Sequence, residues 1–122
     1  GWGPENYNLV FDKYFSPKMY QYTRGEPWFD RAHNIVFDVA TTSGLIGLLA
    51  YFSVFASAFW LLRRQFKRSP VLAIILASIL IAYFVQDLFV FDVFNSYLLF
   101  FLVLAYIYFL EILIEEYIIP IF

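Results

Sequence analysis

The chain has 122 residues, of which 62% are hydrophobic, 24% aromatic and only 15% charged. Soluble domains average about 45–50% apolar and about 25% charged residues, so this composition, with a mean hydropathy of +0.70, all but excludes a water-soluble globular enzyme. It describes a polytopic membrane protein or a piece of one. The net charge of −2 leaves no basic surplus for a nucleic-acid partner. Cysteine is absent, which removes disulfides and thiolate metal sites, and a single histidine, His33, cannot build a multi-histidine metal centre.

The chain opens Gly1-Trp2-Gly3-Pro4, without methionine. Its first apolar run comes too late, and with the wrong flanks, for a secretory signal. It reads as the C-terminal portion of a longer protein whose N-terminal helices would complete it, and the fragment alone is expected to be inactive. Within the first segment Tyr7, Val10, Phe11, Tyr14 and Phe15 recur at helical spacing. That pattern predicts a short amphipathic helix ended by Ser16-Pro17. Such a helix suits the membrane interface, where tyrosine is at home, or packing against other parts of the protein. Gly25 and Pro27 then mark turns.

Three apolar stretches follow. Gly44 to Leu62 carries no charge, Val71 to about Val85 carries none before Gln86 and Asp87, and Tyr97 to Leu110 continues past Glu111 to Ile114. With their flanks, each reaches the roughly 20 apolar residues a membrane helix needs. Each is too long for a strand, and lipid admits only helices and closed barrels. The expected fold is therefore all-α: three transmembrane helices at about residues 34–62, 70–91 and 95–118, in a membrane domain 34–122 preceded by an extracytoplasmic segment 1–33.

Charge sets the expected orientation. Arg63, Arg64, Lys67 and Arg68 crowd one short connection, whereas Lys13, Lys18, Arg24 and Arg31 are balanced by Glu5, Asp12, Glu26 and Asp30. The positive-inside rule puts the loop 63–69 in the cytoplasm and the first segment outside, with the turn from Asp92 to Asn95 also outside.

The chemistry-bearing residues gather in Glu26-Pro27-Trp28-Phe29-Asp30-Arg31-Ala32-His33-Asn34, directly before the first long helix. Asp30 is a plausible N-cap. A helix from Arg31 to Leu62 would span about 48 Å at ~1.5 Å per residue, against a hydrocarbon core of about 30 Å. Its first turns would project as a polar collar carrying His33, Asn34 and Asp38. Free amides at such a helix start, with the positive dipole end, suit a phosphate group. Arg31 adds fork geometry for phosphate oxygens. The bland reading of each residue is helix anchoring at the interface, a salt bridge from Arg31 to Asp30, and a solvated carboxylate at Asp38.

His33-Asn34, nine residues, then Gly44-Leu45-Ile46-Gly47 reads H-N-x9-G-x-x-G. This resembles the signature of the O-antigen ligase and polymerase family of bacterial membrane proteins. Gly1-Trp2-Gly3-Pro4-Glu5-Asn6-Tyr7 and Trp28-Phe29-Asp30-Arg31-Ala32-His33-Asn34 are similar to the same family's outer loop and its exit. The likeness covers residues 1–50 by motif and the rest by hydropathy. In a continuous helix, 11 residues at about 100° each leave Gly44 about 20° from His33, so both would share a face. Gly44 and Gly47 would offer a small-residue surface for a neighbouring helix.

The resemblance implies a glycosyltransferase of the bacterial inner membrane, with a multi-pass fold and its site on the outer side. It would pass a glycan from undecaprenyl diphosphate to a sugar hydroxyl of lipid A-core or to another lipid-linked repeat. The transfer would be an inverting, metal-independent displacement needing no cofactor. Carried over, His33 matches the histidine that assists the acceptor hydroxyl, and Asn34 its polar neighbour. Arg31 and Arg24 are candidates for diphosphate contact, with further arginines expected in the absent part. Asp87 and Gln86, near the outer end of the second helix, are candidates to line the same mouth. The implied partners are the lipid-linked glycan donor, a sugar acceptor and membrane lipid.

Two other readings stand beside this one. A related protein O-oligosaccharyltransferase would act on protein hydroxyls instead. A non-catalytic transporter or assembly subunit would use its polar collar only to anchor helices. A transporter is expected to hold polar groups near the bilayer midplane, and the middles of these spans show none beyond serine, tyrosine and glycine.

Overall fold

The computed structural model describes residues 1–22, 31–90 and 93–118, with the side chains of Met19 and residues 114–118 excepted. Every regular element among them is helical: α1 (Tyr7–Tyr14), a 3-10 turn (Pro17–Gln21), α2 (Ile35–Phe66), α3 (Pro70–Asp87) and α4 (Phe94–Ile118). Three of these, α2, α3 and α4, are long and apolar enough to cross a bilayer. The all-α, three-span expectation therefore holds, and the chain is that of a multi-pass membrane protein.

The helix limits differ from the expected ones for local reasons. α2 starts at Ile35, not Arg31, because the Asn34 side chain caps it: Oδ1 accepts the N–H groups of Val36 at 3.0 Å and Phe37 at 3.2 Å. Asp30, the expected cap, lies outside the described residues. At its other end α2 continues to Phe66 through Arg63 and Arg64, since lysine and arginine stems lie along apolar surface while their charge stays wet. The Gln65 carbonyl then accepts from both Arg68 and Ser69 at 2.9 Å, closing the turn. Pro70 opens α3 at the first helical position, where its missing N–H costs nothing. α3 stops at Asp87, short of residue 91. Val93 caps α4, its N–H bonded to Ser96 Oγ at 3.1 Å, and the same hydroxyl donates to the Val93 carbonyl at 2.8 Å.

Two compact units divide the chain, one of residues 1–51 and 87–91, the other of 52–86 and 92–122. In the second unit the lower part of α2, α3 and α4 pack along one seam. Phe55, Ala58 and Leu62 of α2 face Ala73, Leu76 and Leu80 of α3, with Phe100 and Ile107 of α4, all nearly fully buried. These positions recur at three-, four- and seven-residue spacing, the pattern of left-handed helix packing. Lipid supplies no hydrophobic drive between helices, so van der Waals fit must hold them. Ala58 and Ala73 are each 3% exposed, small residues of the kind that admit a close neighbouring helix. Aromatic stacking fills the other end: Tyr83 lies on Phe100 at 4.4 Å with rings 10° apart, and Phe55 meets Phe84 and Phe100 at 5.4 Å each. Such pairs contribute about 0.5–1.5 kcal/mol apiece beyond area burial.

Near the basic turn, Arg64 forms an ion pair with Glu111 of α4, and its guanidinium lies 5.2 Å from the Trp60 ring. Glu111 is 7% exposed, so removing Arg64 would leave a buried carboxylate without its ion-pair partner. Arg64→Met should lower thermal stability in detergent clearly more than Arg63→Met. Adding Glu111→Gln should then cost less than the sum of the two single changes. Ala58→Leu should destabilise by about 1–3 kcal/mol through overpacking of the seam, as read from the unfolding midpoint of the purified protein.

Candidate functional site: a polar cleft at a broken helix

α2 is not one continuous rod. Gly44 sits at φ 72°, ψ −169°, a conformation open essentially only to glycine, and breaks the helix there. Past the break, residues 45–66 measure about 33 Å at ~1.5 Å per residue, close to the hydrocarbon thickness. The break also removes the next-turn partners of the carbonyls just before it. The N-terminal segment takes two of these: Trp2 N–H donates to the Thr41 carbonyl and Gly3 N–H to the Thr42 carbonyl, both at 2.9 Å. The approach leaves no room for side chains. A Cβ on Gly1 would lie 2.1 Å from the Thr42 carbonyl oxygen, and one on Gly44 would lie 2.6 Å from the Gly1 nitrogen.

Two sequence expectations are corrected here. Gly44 and His33 do not share a helix face, because His33 precedes the helix and the helix breaks at Gly44. Nor do Gly44 and Gly47 form a flat docking surface: a Cβ on Gly47 would lie 2.2 Å from Ser43 Cβ, so both glycines accommodate the break. The signal was present in Thr41-Thr42-Ser43-Gly44, where poor helix formers run into a glycine.

Tied to Thr41 and Thr42, the N-terminal segment turns back over the first part of α2. The Asn6 N–H reaches the Gly3 carbonyl at 3.4 Å, and Asn6 Nδ2 donates to the Trp2 carbonyl at 2.9 Å. α1 follows as expected and ends at Tyr14, before Ser16-Pro17. Lys13 stands 4.9 Å from the Trp2 ring centre and 5.6 Å from that of Tyr14, and Phe15 meets Tyr20 edge-on. The result is a cleft of about 180 Å³ lined by Pro4, Glu5, Tyr7, Arg31, Asp38 and Thr42. Asp38 and Thr42 are one turn apart on α2, and Thr42 Oγ1 donates to the Asp38 carbonyl at 2.7 Å. Asp38 Oδ1 is buried and meets no hydrogen-bond donor among the described residues. Glu5 sits at φ 61°, the one non-glycine residue with positive φ among those described.

The predicted site residues fall as follows. Arg31 lines the cleft and is exposed. Ala32 is buried, at 7% exposure. His33, next in the chain, is exposed. Asn34 is committed to structure. Besides capping α2 it donates from Nδ2 to the Leu88 carbonyl at 3.0 Å, which ties the stretch after α3 to the mouth of α2. Because Asn34 Oδ1 holds the Val36 and Phe37 amides, the expected phosphate cradle of free first-turn N–H groups is not available at this helix start. Asp87 is fully buried and is not among the residues lining the cleft. Gln86 lines a separate pocket of about 210 Å³ between α3 and α4, with Tyr83, Ser96 and Phe100. Arg24, with Glu26 to Asp30, lies outside the described residues. The sequence reading missed Glu5, Tyr7 and Thr42 as lining groups, since only the backbone pairing with Thr41 and Thr42 brings them to Asp38.

Comparison with protein-family models, with curated proteins and with solved structures finds no match in any of the three.

If the break organises the site, Gly44→Ala should cost about 1–3 kcal/mol in backbone strain and expel the N-terminal segment. Hydrogen exchange should then show the Trp2 and Gly3 amides losing protection while amides in the α3–α4 seam keep theirs.

Proposed function

We propose that this chain forms part of a membrane glycosyltransferase of the O-antigen ligase or polymerase type, passing a glycan from a polyprenyl diphosphate carrier to an acceptor hydroxyl. One observation supports this most: an exposed imidazole, His33, stands two residues from an arginine at the rim of a polar cleft, where an apolar helix begins. The acceptor oxygen attacks the anomeric carbon, the bond from that carbon to the diphosphate breaks, and undecaprenyl diphosphate leaves with the bonding electrons. His33 accepts the hydroxyl proton. Offsetting the charge that develops on the diphosphate falls to arginines other than Arg31, such as Arg24, since Asn34 occupies the first-turn amides of α2 and Arg31 shares its cleft with Glu5 and Asp38. On this reading the basic turn 63–69 faces the cytoplasm and the cleft faces the outer side of a bacterial inner membrane.

A broken helix is also a feature of transporters, where unwound carbonyls coordinate ions. Here the Thr41 and Thr42 carbonyls are already bonded to Trp2 and Gly3, which favours a fixed scaffold over an ion path.

The test uses the full-length protein in membranes, supplied with a lipid-linked glycan and candidate acceptors. His33→Ala should lower transfer by about 10²–10⁴-fold, the scale of a lost general base, with insertion unchanged; full turnover would remove the catalytic assignment. Arg31→Lys should raise the KM for the glycan donor more than it lowers kcat. A protein hydroxyl used in preference to sugar acceptors would move the chain to the oligosaccharyltransferase class.

A further inference from the structure

We infer that the cleft of Pro4, Glu5, Tyr7, Arg31, Asp38 and Thr42 is a subsite for one uncharged pyranose of the glycan, held through its hydroxyls. The inference rests on the glycosyl-transfer reading and names the class of sugar that the site selects.

The lining itself sets the ligand chemistry. Arg31 offers only donors, whereas the Glu5 and Asp38 carboxylates offer only acceptors. All three line one cleft of about 180 Å³, yet no carboxylate among the described residues lies within ion-pair distance of Arg31. A phosphate or carboxylate ligand would satisfy the guanidinium and be repelled by two carboxylates. An ammonium would satisfy the carboxylates and be repelled by the guanidinium. A hydroxyl both donates and accepts, so a polyol ring can serve both kinds of group at once. Thr42 Oγ1, its proton already given to the Asp38 carbonyl, adds a further acceptor.

Two further observations indicate that the cleft is built for a ligand. Asp38 Oδ1 is buried without a hydrogen bond among the described residues, an unfavourable state that a donor from a ligand would relieve. Glu5 is held at φ 61°, a region that L side chains rarely adopt and that persists where the surroundings impose it. The Asn6 N–H bond to the Gly3 carbonyl closes the turn around it, and Glu5 lines the cleft. Pro4 and Tyr7 supply apolar surface for the C–H faces of a ring. The volume suits one sugar, not a chain of them. With two carboxylates against one guanidinium the cleft has a formal charge of −1, which selects against uronic acids and other acidic sugars.

The test is a binding measurement that needs no turnover. Full-length protein in lipid nanodiscs is titrated with methyl hexosides and with a methyl glucuronide, and saturation-transfer NMR reads occupancy of the ring protons. A neutral hexoside should bind about tenfold or more tightly than the glucuronide. Asp38→Asn and Glu5→Gln should each weaken the neutral ligand about tenfold, in line with the loss of a charge-assisted hydrogen bond. Glu5 is exposed in a turn, so Glu5→Gln tests the cleft even where the Asp38 variant fails to fold. Equal binding of the two sugars, or unchanged binding in a folded Glu5→Gln protein, would overturn the assignment. Neutral-sugar binding in a protein that transfers no glycan would instead uphold the cleft and remove the transferase reading.

Discussion

Two backbone hydrogen bonds carry the polar half of this protein: Trp2 N–H to the Thr41 carbonyl and Gly3 N–H to the Thr42 carbonyl. A helix that breaks next to an apolar span strands carbonyl groups where water is scarce, and an unsatisfied one costs several kcal/mol. The break at Gly44 and the docking of the N-terminal segment are therefore a single event. Without the segment the carbonyls are orphaned, and without the break there are no carbonyls for the segment to take. Glycine appears on both sides for one steric reason, since Gly1 and Gly44 meet backbone to backbone.

The remaining features of the cleft follow from that pairing. With residues 2 and 3 fixed against residues 41 and 42, Pro4 and Glu5 line the same cleft as Asp38. Asn34 then sets the entry to α2. Its carboxamide starts α2 at Ile35 and leaves Arg31 and His33 ahead of the helix, free of its register. It also holds the Leu88 carbonyl, so one side chain fixes both the entry to α2 and the exit from α3. The second unit follows different physics. It relies on alanine-sized gaps, stacked aromatic rings and one ion pair set into an apolar surface, and it carries little polar chemistry of its own.

Much of the architecture was legible in the sequence. The three spans follow from charge-free runs of the right length, and α1 follows from tyrosines and phenylalanines at helical spacing before a proline. Arg31 and His33 stand just before α2, and Arg31 lines the cleft. What the sequence reading took wrongly was continuity. It treated Arg31 to Leu62 as one rod, and from that came the collar of free amides and the shared face of His33 and Gly44. Hydropathy averages over a window and does not register a single residue at positive φ. Capping propensity pointed to Asp30, but Asn34 bonds the first-turn amides in the structure.

The sequence by itself determined how much of this chain belongs in lipid and where its charges stay wet, because transfer free energy accumulates residue by residue along the chain. Tertiary structure decided which polar groups meet. Glu5 lies 33 positions from Asp38, and nothing in either neighbourhood announces the other. Their meeting depends on two carbonyls released at Gly44 and on the N–H groups that satisfy them, and hydrogen-bond satisfaction is a property of the folded backbone as a whole.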